Sequence, residues 1–172
     1  TTVFIKSYMD KLGYEQTQGS FVSSLILISM TIMFPISAYL SDKIGRKPVI
    51  VWASVALVFS IYPIFLALHT MNYTLAILSQ ILFSAIVGVY MGPVPTLLVE
   101  LFPTRVRFTG VAISYNLSAA IFGGTAPMVG EILYSYTGKQ ISLAYYLTGL
   151  ALFCLSCLYF YKESYKFNLC ES

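Results

Sequence analysis

The residues with the most scope for chemistry are a few charged side chains in two short segments of an otherwise apolar chain. The first segment, residues 41–48, contains Asp42 and Arg46, and the second contains Glu100, Arg105 and Arg107. Each segment places a carboxylate where an apolar stretch ends, with arginines a few residues further on. The helix dipole disfavours a carboxylate at a helix C-terminus unless a cation lies near it. The pattern therefore predicts ion pairs between helix ends.

Other side chains with known chemistries form no complete site in this sequence. Cys154 and Cys157 have the spacing of a redox motif, but they lie in an apolar stretch, which favours packing or lipid contact. Cys170 is a single thiol near the end of the chain. The sequence contains no Walker loop, zinc-ligand spacing, catalytic triad or dinucleotide fingerprint. We expect no cofactor, no metal and no enzymatic activity.

The composition indicates the class of protein that must position these charges. Of the 172 residues, 58% are hydrophobic and only 10% are charged, and the mean hydropathy is +0.78. Soluble domains carry about a quarter charged residues, so this chain has too few to cover a surface that faces water. The net charge of +3 is small and is not clustered as a nucleic-acid-binding surface would be. The composition predicts an integral membrane protein in a lipid bilayer, with no nucleic acid partner.

The stretches without Asp, Glu, Lys or Arg predict the membrane spans. A helix needs about 20 apolar residues to cross the hydrocarbon core. The charge-free stretches accommodate five such helices, with a polar break around His69, which we expect to be a loop residue. The predicted spans are residues 21–40, 49–68, 74–98, 109–134 and 142–161.

The two ends of the chain are predicted to differ from this five-helix body at 10–161. Residues 1–9 are apolar except for Lys6, and we interpret them as the end of a sixth, truncated transmembrane helix. A segment lying flat at the membrane interface is the alternative. Residues 162–172 are a polar tail.

The distribution of basic residues predicts the orientation. Loops rich in Lys and Arg stay in the cytoplasm, which places the 41–48 loop, the 101–108 loop and the C-terminal tail inside. Seven of the ten Lys and Arg lie in this set, namely Lys43, Arg46, Lys47, Arg105, Arg107, Lys162 and Lys166. The other three, Lys6, Lys11 and Lys139, fall on the predicted outer side.

Polar and small residues inside the spans are candidates for a substrate pathway. Asn116, Ala120 and Gly124 recur at helical spacing on one face of span 109–134, and the same face continues to Pro127 and Glu131. On span 74–98, the residues Gln80, Ser84, Gly88 and Gly92 form another such face. Close helix packing is the alternative interpretation for Gly88 and Gly92. The pathway candidates are Tyr115, Asn116, Gly124 and Gln80.

Glu131 is the one acidic residue within a predicted span, about a turn from its outer end. An ionisable group within a membrane suggests a functional role by default, and proton coupling requires a carboxyl or imidazole group. We consider Glu131 a proton-coupling candidate that could pair with Lys6. The alternative is an interfacial glutamate that reaches the headgroup region.

Three sequence elements together resemble one transporter family. Residues 38–48 are similar to the signature loop G-x-L-S-D-[RK]-x-G-R-[RK] of the major facilitator superfamily, with Ala38 in place of the preferred Gly. Residues 100–110 are similar to its E-x-F-P-x-x-x-R-x-x-G element between helices ten and eleven. The run 114–124 and the pair Tyr145-Tyr146 resemble the metabolite:proton symporter branch, whose members carry proline, glycine betaine, or organic acids such as citrate and 2-oxoglutarate.

The resemblance implies an all-α fold and a function. The chain corresponds to the C-terminal six-helix half of a twelve-helix transporter, from the end of helix seven to helix twelve, and it would need the missing N-terminal half as a partner. The family's cytoplasmic ion network, which holds the inner gate closed, maps onto Asp42, Arg46 and Glu100, with Arg105 or Arg107 as further partners. Surface pairs that only fix topology are the alternative.

The implied function is proton-coupled transport of a small polar solute across a bacterial-type inner membrane. A proline or glycine betaine type of osmolyte is the first expectation for the substrate, with a proton as the coupling ion. The alternatives are an organic-acid symporter and a non-transporting membrane subunit derived from a degenerate transporter half.

Overall fold

The computed structural model describes residues 16–70, 72–137 and 142–160, and every regular element in these ranges is a helix. We number the seven α-helices in chain order and name the short π-helical turn separately. They are α1 (Gln16–Ile44), α2 (Arg46–His69), α3 (Tyr73–Met91), α4 (Val94–Leu101), α5 (Arg107–Ser118), the π segment (Ala119–Gly123), α6 (Gly124–Thr137) and α7 (Ser142–Phe160). The prediction of an all-α membrane protein is confirmed.

Three described segments are long and apolar enough to cross a membrane: Thr17–Ile44, Arg46–Ala67 and Tyr73–Leu101. They correspond to the first three predicted spans. The first and third are longer than predicted at both ends, and the second begins three residues earlier and ends one residue earlier. The last predicted span coincides with a shorter apolar helix, Ala144–Leu158. The span predicted at 109–134 lies within α5, the π segment and α6. That this segment crosses the membrane remains a prediction. Residues 1–9 and the tail at 162–172 lie outside the described residues.

Local residue types explain where the helices begin and end. Gly45 separates α1 from α2 with a φ of 111°, a conformation that residues with a Cβ rarely adopt. Asn72 begins α3, and its Oδ1 accepts a hydrogen bond from the Thr74 backbone N–H at 3.1 Å. Helix α3 ends at Met91, and α4 begins after Gly92 and Pro93. The span predicted as one helix at 74–98 is therefore interrupted, because Pro93 has no N–H to continue the hydrogen-bond ladder.

Helix α3 is the central element of the described bundle and packs extensively against α1 and α2, while α7 packs against α2. The face of α3 that is small and polar in the sequence is the buried one: Ala76, Gln80, Ser84 and Gly88. A methyl group at Gly88 would lie 2.9 Å from Cβ of Met33 in α1. Glycine here lets two backbones approach closely. Close packing, the alternative interpretation for Gly88 and Gly92, is the role these two glycines have in the described structure.

The helix from Arg107 to Thr137 contains a wide turn at its centre. The Gly124 N–H donates to the Ala119 carbonyl, an i to i−5 bond, and residues 119–123 are π-helical. Gly123 and Gly124 lie where the π segment ends and α6 begins, whereas Pro127 lies inside α6. The face predicted from Asn116 to Glu131 was drawn with 3.6 residues per turn. That spacing does not hold across a π segment, so the two halves of the face no longer share a simple register.

Candidate functional site

The guanidinium group of Arg46 joins two carboxylates from different helices. Its Nη2 lies 3.2 Å from Oδ1 of Asp42 and 3.0 Å from Oε1 of Glu100. Asp42 lies in the last turn of α1, Arg46 is the first residue of α2, and Glu100 lies near the end of α4. We call Asp42, Arg46 and Glu100 the ion cluster. The structure brings together the three residues that the sequence singled out.

The two carboxylates of the ion cluster, Asp42 and Glu100, differ in how far water reaches them. The side chain of Asp42 is 62% exposed, whereas those of Arg46 and Glu100 are 13% and 9% exposed. Interactions between exposed charges are weakened by water and salt, and buried pairs are screened much less. The pair between Arg46 and Glu100 is therefore the stronger link. Within the described residues, the second oxygen of Glu100, Oε2, is buried without a hydrogen-bond partner.

Helix dipoles explain why these three residues depend on one another. A carboxylate at the end of α1 and a guanidinium at the start of α2 each face the unfavourable end of their own helix. The reversal at Gly45 brings Asp42 and Arg46 into contact and offsets both costs. Glu100 likewise lies one residue before the end of α4, so Arg46 compensates two carboxylates at helix C-termini.

The further partners predicted for the ion cluster are placed differently. Arg107, the first residue of α5, donates from Nε to the backbone carbonyl of Phe102 at 3.3 Å, which links the start of α5 to the end of α4. Arg105 is exposed on the turn between α4 and α5. Within the described residues, neither arginine forms an ion pair with Asp42 or Glu100, which both pair with Arg46.

The turn between α4 and α5 is compact, which sequence reasoning did not anticipate. The ring of Phe102 lies directly over Gly110, such that a methyl group at Gly110 would be 2.5 Å from Cδ1 of Phe102. The motif spacing between Glu100 and Gly110 was the available signal, but nothing in the sequence identifies which side chain covers the glycine.

The pathway candidates fall into two environments. Tyr115 and Asn116 are exposed on α5, and Asn116 donates from Nδ2 to the Ala112 carbonyl at 2.8 Å. Apart from the backbone of its own helix and its chain neighbours, no described atom lies within 4 Å of a methyl group built at Gly124. Gln80, by contrast, is 2% exposed, and its Oε1 has no hydrogen-bond partner among the described residues. The structure does not gather these four residues into one described site.

The proton-coupling candidate is not tested by the structure. Glu131 belongs to α6, but its side chain lies outside the described residues, as do Lys6 and the side chain of His69. The proposed contact between Glu131 and Lys6 therefore remains a prediction.

Three polar contacts between helices were not predicted, and the longest is from the Ser29 hydroxyl in α1 to the Ile81 carbonyl in α3 at 3.4 Å. Ser37 in α1 donates to the Val89 carbonyl in α3 at 2.7 Å. The hydroxyl of Tyr90 lies 2.9 Å from Sγ of Cys154 in α7. Cys154 and Cys157 are free thiols, the first partly buried and the second exposed. Residues far apart in sequence form all three contacts, and no local sequence pattern predicts such pairs.

Comparison with known proteins identifies a family over nearly the whole chain. The sequence profile of the Major Facilitator Superfamily matches residues 1–168. No solved structure matches the chain.

Similar curated proteins are transporters by name. The ectoine/proline transporter ProP of Corynebacterium glutamicum is 31% identical over 164 residues, which are 95% of this chain and 32% of that protein. The glycine betaine/proline/ectoine/pipecolic acid transporter OusA of Dickeya dadantii is 32% identical over 162 residues, 94% of this chain and 32% of that protein. The citrate-proton symporter of Klebsiella pneumoniae is 30% identical over 167 residues, 95% of this chain and 37% of that protein. The chain thus spans about a third of the length of these relatives.

Proposed function

Because the chain belongs to the Major Facilitator Superfamily, we propose that it forms the C-terminal half of a proton-coupled secondary transporter for a small polar solute. The substrate class is a proline or glycine betaine type of osmolyte. In this proposal the N-terminal half supplies the other wall of the pathway, and the two halves alternate access to a central site. The membrane is a bacterial-type inner membrane with the C-terminal tail in the cytoplasm.

One observation carries the mechanistic part of this proposal: Arg46 is shared between Asp42 and Glu100. The shared guanidinium connects the end of α1, the start of α2 and the end of α4. A set of ion pairs between helix ends has two stable arrangements, paired and separated. The ion cluster thus acts as a cytoplasmic gate that is closed when paired and open when α4 moves away from α2.

The substrate class rests on the relatives. Two of the proteins described above are named for ectoine, proline or glycine betaine transport. An organic-acid symporter is the second candidate, because the Klebsiella relative is named for citrate and protons. The sequence between residues 48 and 99 contains no Lys or Arg that would balance a dicarboxylate within the second and third spans, which favours a zwitterionic osmolyte over an organic acid.

Proton coupling is assigned to Glu131, and the wall of the pathway to Tyr115, Asn116, Gly124 and Gln80. The buried Gln80, whose Oε1 lacks a partner within the described residues, is the member of this set with an unused acceptor. An unsatisfied buried acceptor costs free energy, so a donor supplied by substrate or by the N-terminal half would stabilise it.

Uptake by the complete transporter tests the substrate and the coupling ion. Proteoliposomes would contain this chain assembled with its N-terminal half, and labelled proline, glycine betaine and 2-oxoglutarate would be supplied with and without an inward proton gradient. We expect gradient-driven uptake of proline or glycine betaine. Uptake of 2-oxoglutarate alone would replace the osmolyte assignment with the organic-acid one, and uptake of none would support a non-transporting subunit.

Two substitutions test the gate. We expect Glu100→Gln to lower the initial uptake rate about tenfold or more, since it breaks a buried pair. Asp42→Asn should slow turnover by about fivefold at most, because this arm is exposed. Both variants should insert into the membrane in normal amounts. A parental uptake rate in Glu100→Gln would refute the gate.

A further inference from the structure

We infer that Phe102 and Gly110 form a size-matched contact that positions Glu100 for its ion pair with Arg46. This inference rests on the proposed gating function and assigns two positioning residues to it. Phe102 follows Glu100 by two residues, just beyond the last residue of α4. Gly110 lies in the first turn of α5, after the turn that reverses the chain.

The contact leaves no space for a larger residue at position 110. A methyl group on Gly110 would lie 2.5 Å from Cδ1, 2.7 Å from Cε1 and 2.8 Å from Cγ of the Phe102 ring. Real Cβ atoms do not approach other heavy atoms so closely. Because Cγ is the root of the ring, a small movement of the ring tip would not relieve the overlap. An alanine at 110 must therefore displace the whole Phe102 side chain or its backbone.

Hydrogen bonds fix the backbone on both sides of this contact. The Val106 N–H donates to the Pro103 carbonyl at 3.1 Å, and the Gly110 N–H donates to the Val106 carbonyl at 2.8 Å. Arg107 donates from Nε to the Phe102 carbonyl at 3.3 Å. These bonds leave the turn little freedom to absorb a displaced ring, so the displacement is passed to the end of α4.

Glu100 depends on this turn because α4 has little else to hold it. The helix has eight residues and contributes no buried hydrophobic side chain to the core, and it is separated from α3 by Gly92 and Pro93. Its contacts with α2, α3 and α5 are sparse compared with those between α1 and α3. The Phe102 contact lies two residues from the carboxylate whose Oε1 is 3.0 Å from Arg46. A shift of about 1 Å that carries the end of α4 directly away from Arg46 would lengthen that pair to about 4 Å, the limit for an ion pair.

A purely local role for Gly110 makes a different prediction. Replacing a helical glycine with alanine in open space favours the helix, since glycine costs about 1 kcal/mol relative to alanine. Gly149 in α7 is such a position, because nothing described lies within 4 Å of a methyl group built there. Gly149→Ala is thus a matched control with the same chemical change and no ring to displace.

Thiol labelling at the gate provides a direct readout. Ser41 is 1% exposed beside Asp42, so Ser41→Cys should react slowly with a membrane-impermeant maleimide while the gate is closed. The background is the complete transporter with Cys154, Cys157 and Cys170 replaced by serine, which retains a hydrogen-bonding group for Tyr90. In vesicles that expose the cluster side, we expect Gly110→Ala to raise the labelling rate about tenfold. Gly149→Ala should leave it unchanged.

A double variant distinguishes a positioning role of the Phe102 contact from a general loss of stability. Phe102→Ala removes Cγ, Cδ1 and Cε1 together and should alone raise the labelling rate about threefold. The double variant Gly110→Ala with Phe102→Ala should label no faster than Phe102→Ala alone, because the methyl group then occupies space that the ring vacated. A double variant that labels as fast as Gly110→Ala, or faster, overturns the inference.

Glu100→Gln distinguishes failure of this inference from failure of the gate. If Glu100→Gln raises labelling at Ser41→Cys while Gly110→Ala does not, the gate stands and the positioning role is wrong. If Glu100→Gln changes neither labelling nor uptake, the proposed gate itself is wrong. Should Gly110→Ala fail to reach the membrane, a parental labelling rate in Phe102→Ala alone would overturn the inference.

Discussion

The two carboxylates that share Arg46 are unequal partners. Glu100 contacts it in a site where the side chain is 9% exposed, while Asp42 contacts it from a side chain that is 62% exposed. Attraction between charges weakens as water and ions penetrate between them. Arg46 is thus held by one contact that water and salt can reach, to Asp42, and one that they hardly reach, to Glu100. The two contacts should respond differently to salt.

We expect ionic strength to separate the two contacts. Raising KCl on the cluster side from about 10 mM to about 300 mM shortens the Debye length from about 30 Å to well below 10 Å. The difference in uptake rate between the parent and Asp42→Asn should shrink, and the difference between the parent and Glu100→Gln should persist. Initial uptake rates in proteoliposomes at both salt concentrations measure this. Equal shrinkage of both differences would show that the two arms are equally exposed.

The hydroxyl of Ser37 links α1 to the last turn of α3. We expect Ser37→Ala to lower the free energy of unfolding by about 0.5–1.5 kcal/mol, because it removes a buried hydrogen bond between helices. Thermal melting in detergent measures the loss. Ser24→Ala is the control, since the exposed Ser24 hydroxyl bonds only to Ser20 in its own helix, and it should melt close to the parent.

At the scale of single residues, the sequence identified the residues of the ion cluster because charged side chains are rare in this chain. Asp42, Arg46 and Glu100 stood out because charged residues are rare in an apolar chain, and the structure places them in contact. Arg107 was expected at a carboxylate and binds the Phe102 carbonyl instead. The sequence contains both charges, but the choice depends on which acceptor the turn presents, and that is a three-dimensional property.

At the scale of elements, α1 and α3 meet where glycine removes the Cβ atoms. Gly92 lies against the backbone of α1: a methyl group there would lie 2.9 Å from the Phe34 carbonyl oxygen and would overlap the Ser37 hydroxyl. Backbone atoms cannot rotate away as the end of a long side chain can. The start of the α3–α4 break is therefore pinned to α1.

We expect Gly92→Ala to destabilise the protein more than any change confined to a lipid-facing position. The overlap with backbone should cost about 1–3 kcal/mol, which appears as a lower melting temperature in detergent. Gly149→Ala is again the matched control and should be neutral or slightly stabilising. Equal melting temperatures for the two variants would mean that α1 and α3 separate easily at this point.

Helix positions were predictable from the charge-free stretches, and helix irregularities only in part. The break at 92–93 contains Pro93, and the π segment at 119–123 ends at the Gly123-Gly124 pair, but Pro95 and Pro127 lie inside regular helices. The extra-wide turn itself was not predictable, because glycine permits several local solutions and packing selects among them. The face drawn through Asn116 and Gly124 is imprecise for the same reason.

At the scale of the whole molecule, one side of the described bundle lacks a protein partner within the described residues. The helix from Arg107 to Thr137 exposes large side chains, including Phe108 at 91% and Tyr136 at 87%. Much of such a surface faces lipid in a membrane protein, but small and polar residues such as Gly124 and Asn116 are exposed there too. Another helix or the pathway is a better neighbour for these than acyl chains.

We expect the N-terminal half to stabilise residues 1–172. Co-expression of the two pieces should allow this chain to be recovered with its partner and should raise its melting temperature in detergent by several degrees relative to the chain alone. An unrelated six-helix membrane protein serves as the control partner. Equal melting temperatures with both partners would indicate that the exposed face of α5 and α6 belongs to lipid.

The membrane class and the family were accessible from the sequence at this scale, through composition and through three motifs in the right order. The substrate was not accessible. Specificity depends on a few polar groups that converge on one point, and a linear sequence does not show which side chains converge.

The short helix after Pro93 has a mechanical consequence. From the break to Glu100 the chain covers about 10 Å at 1.5 Å per residue. If α4 rotates as a rigid body about Gly92, the Glu100 carboxylate at its far end moves the most. A tilt of about 10° moves the far end by nearly 2 Å and the near end hardly at all. The pair with Arg46, at 3.0 Å, would then be broken while Gly92 stays seated against α1. The Arg46–Glu100 pair is therefore sensitive to the tilt of α4, and a small rotation of this helix suffices to separate the two side chains.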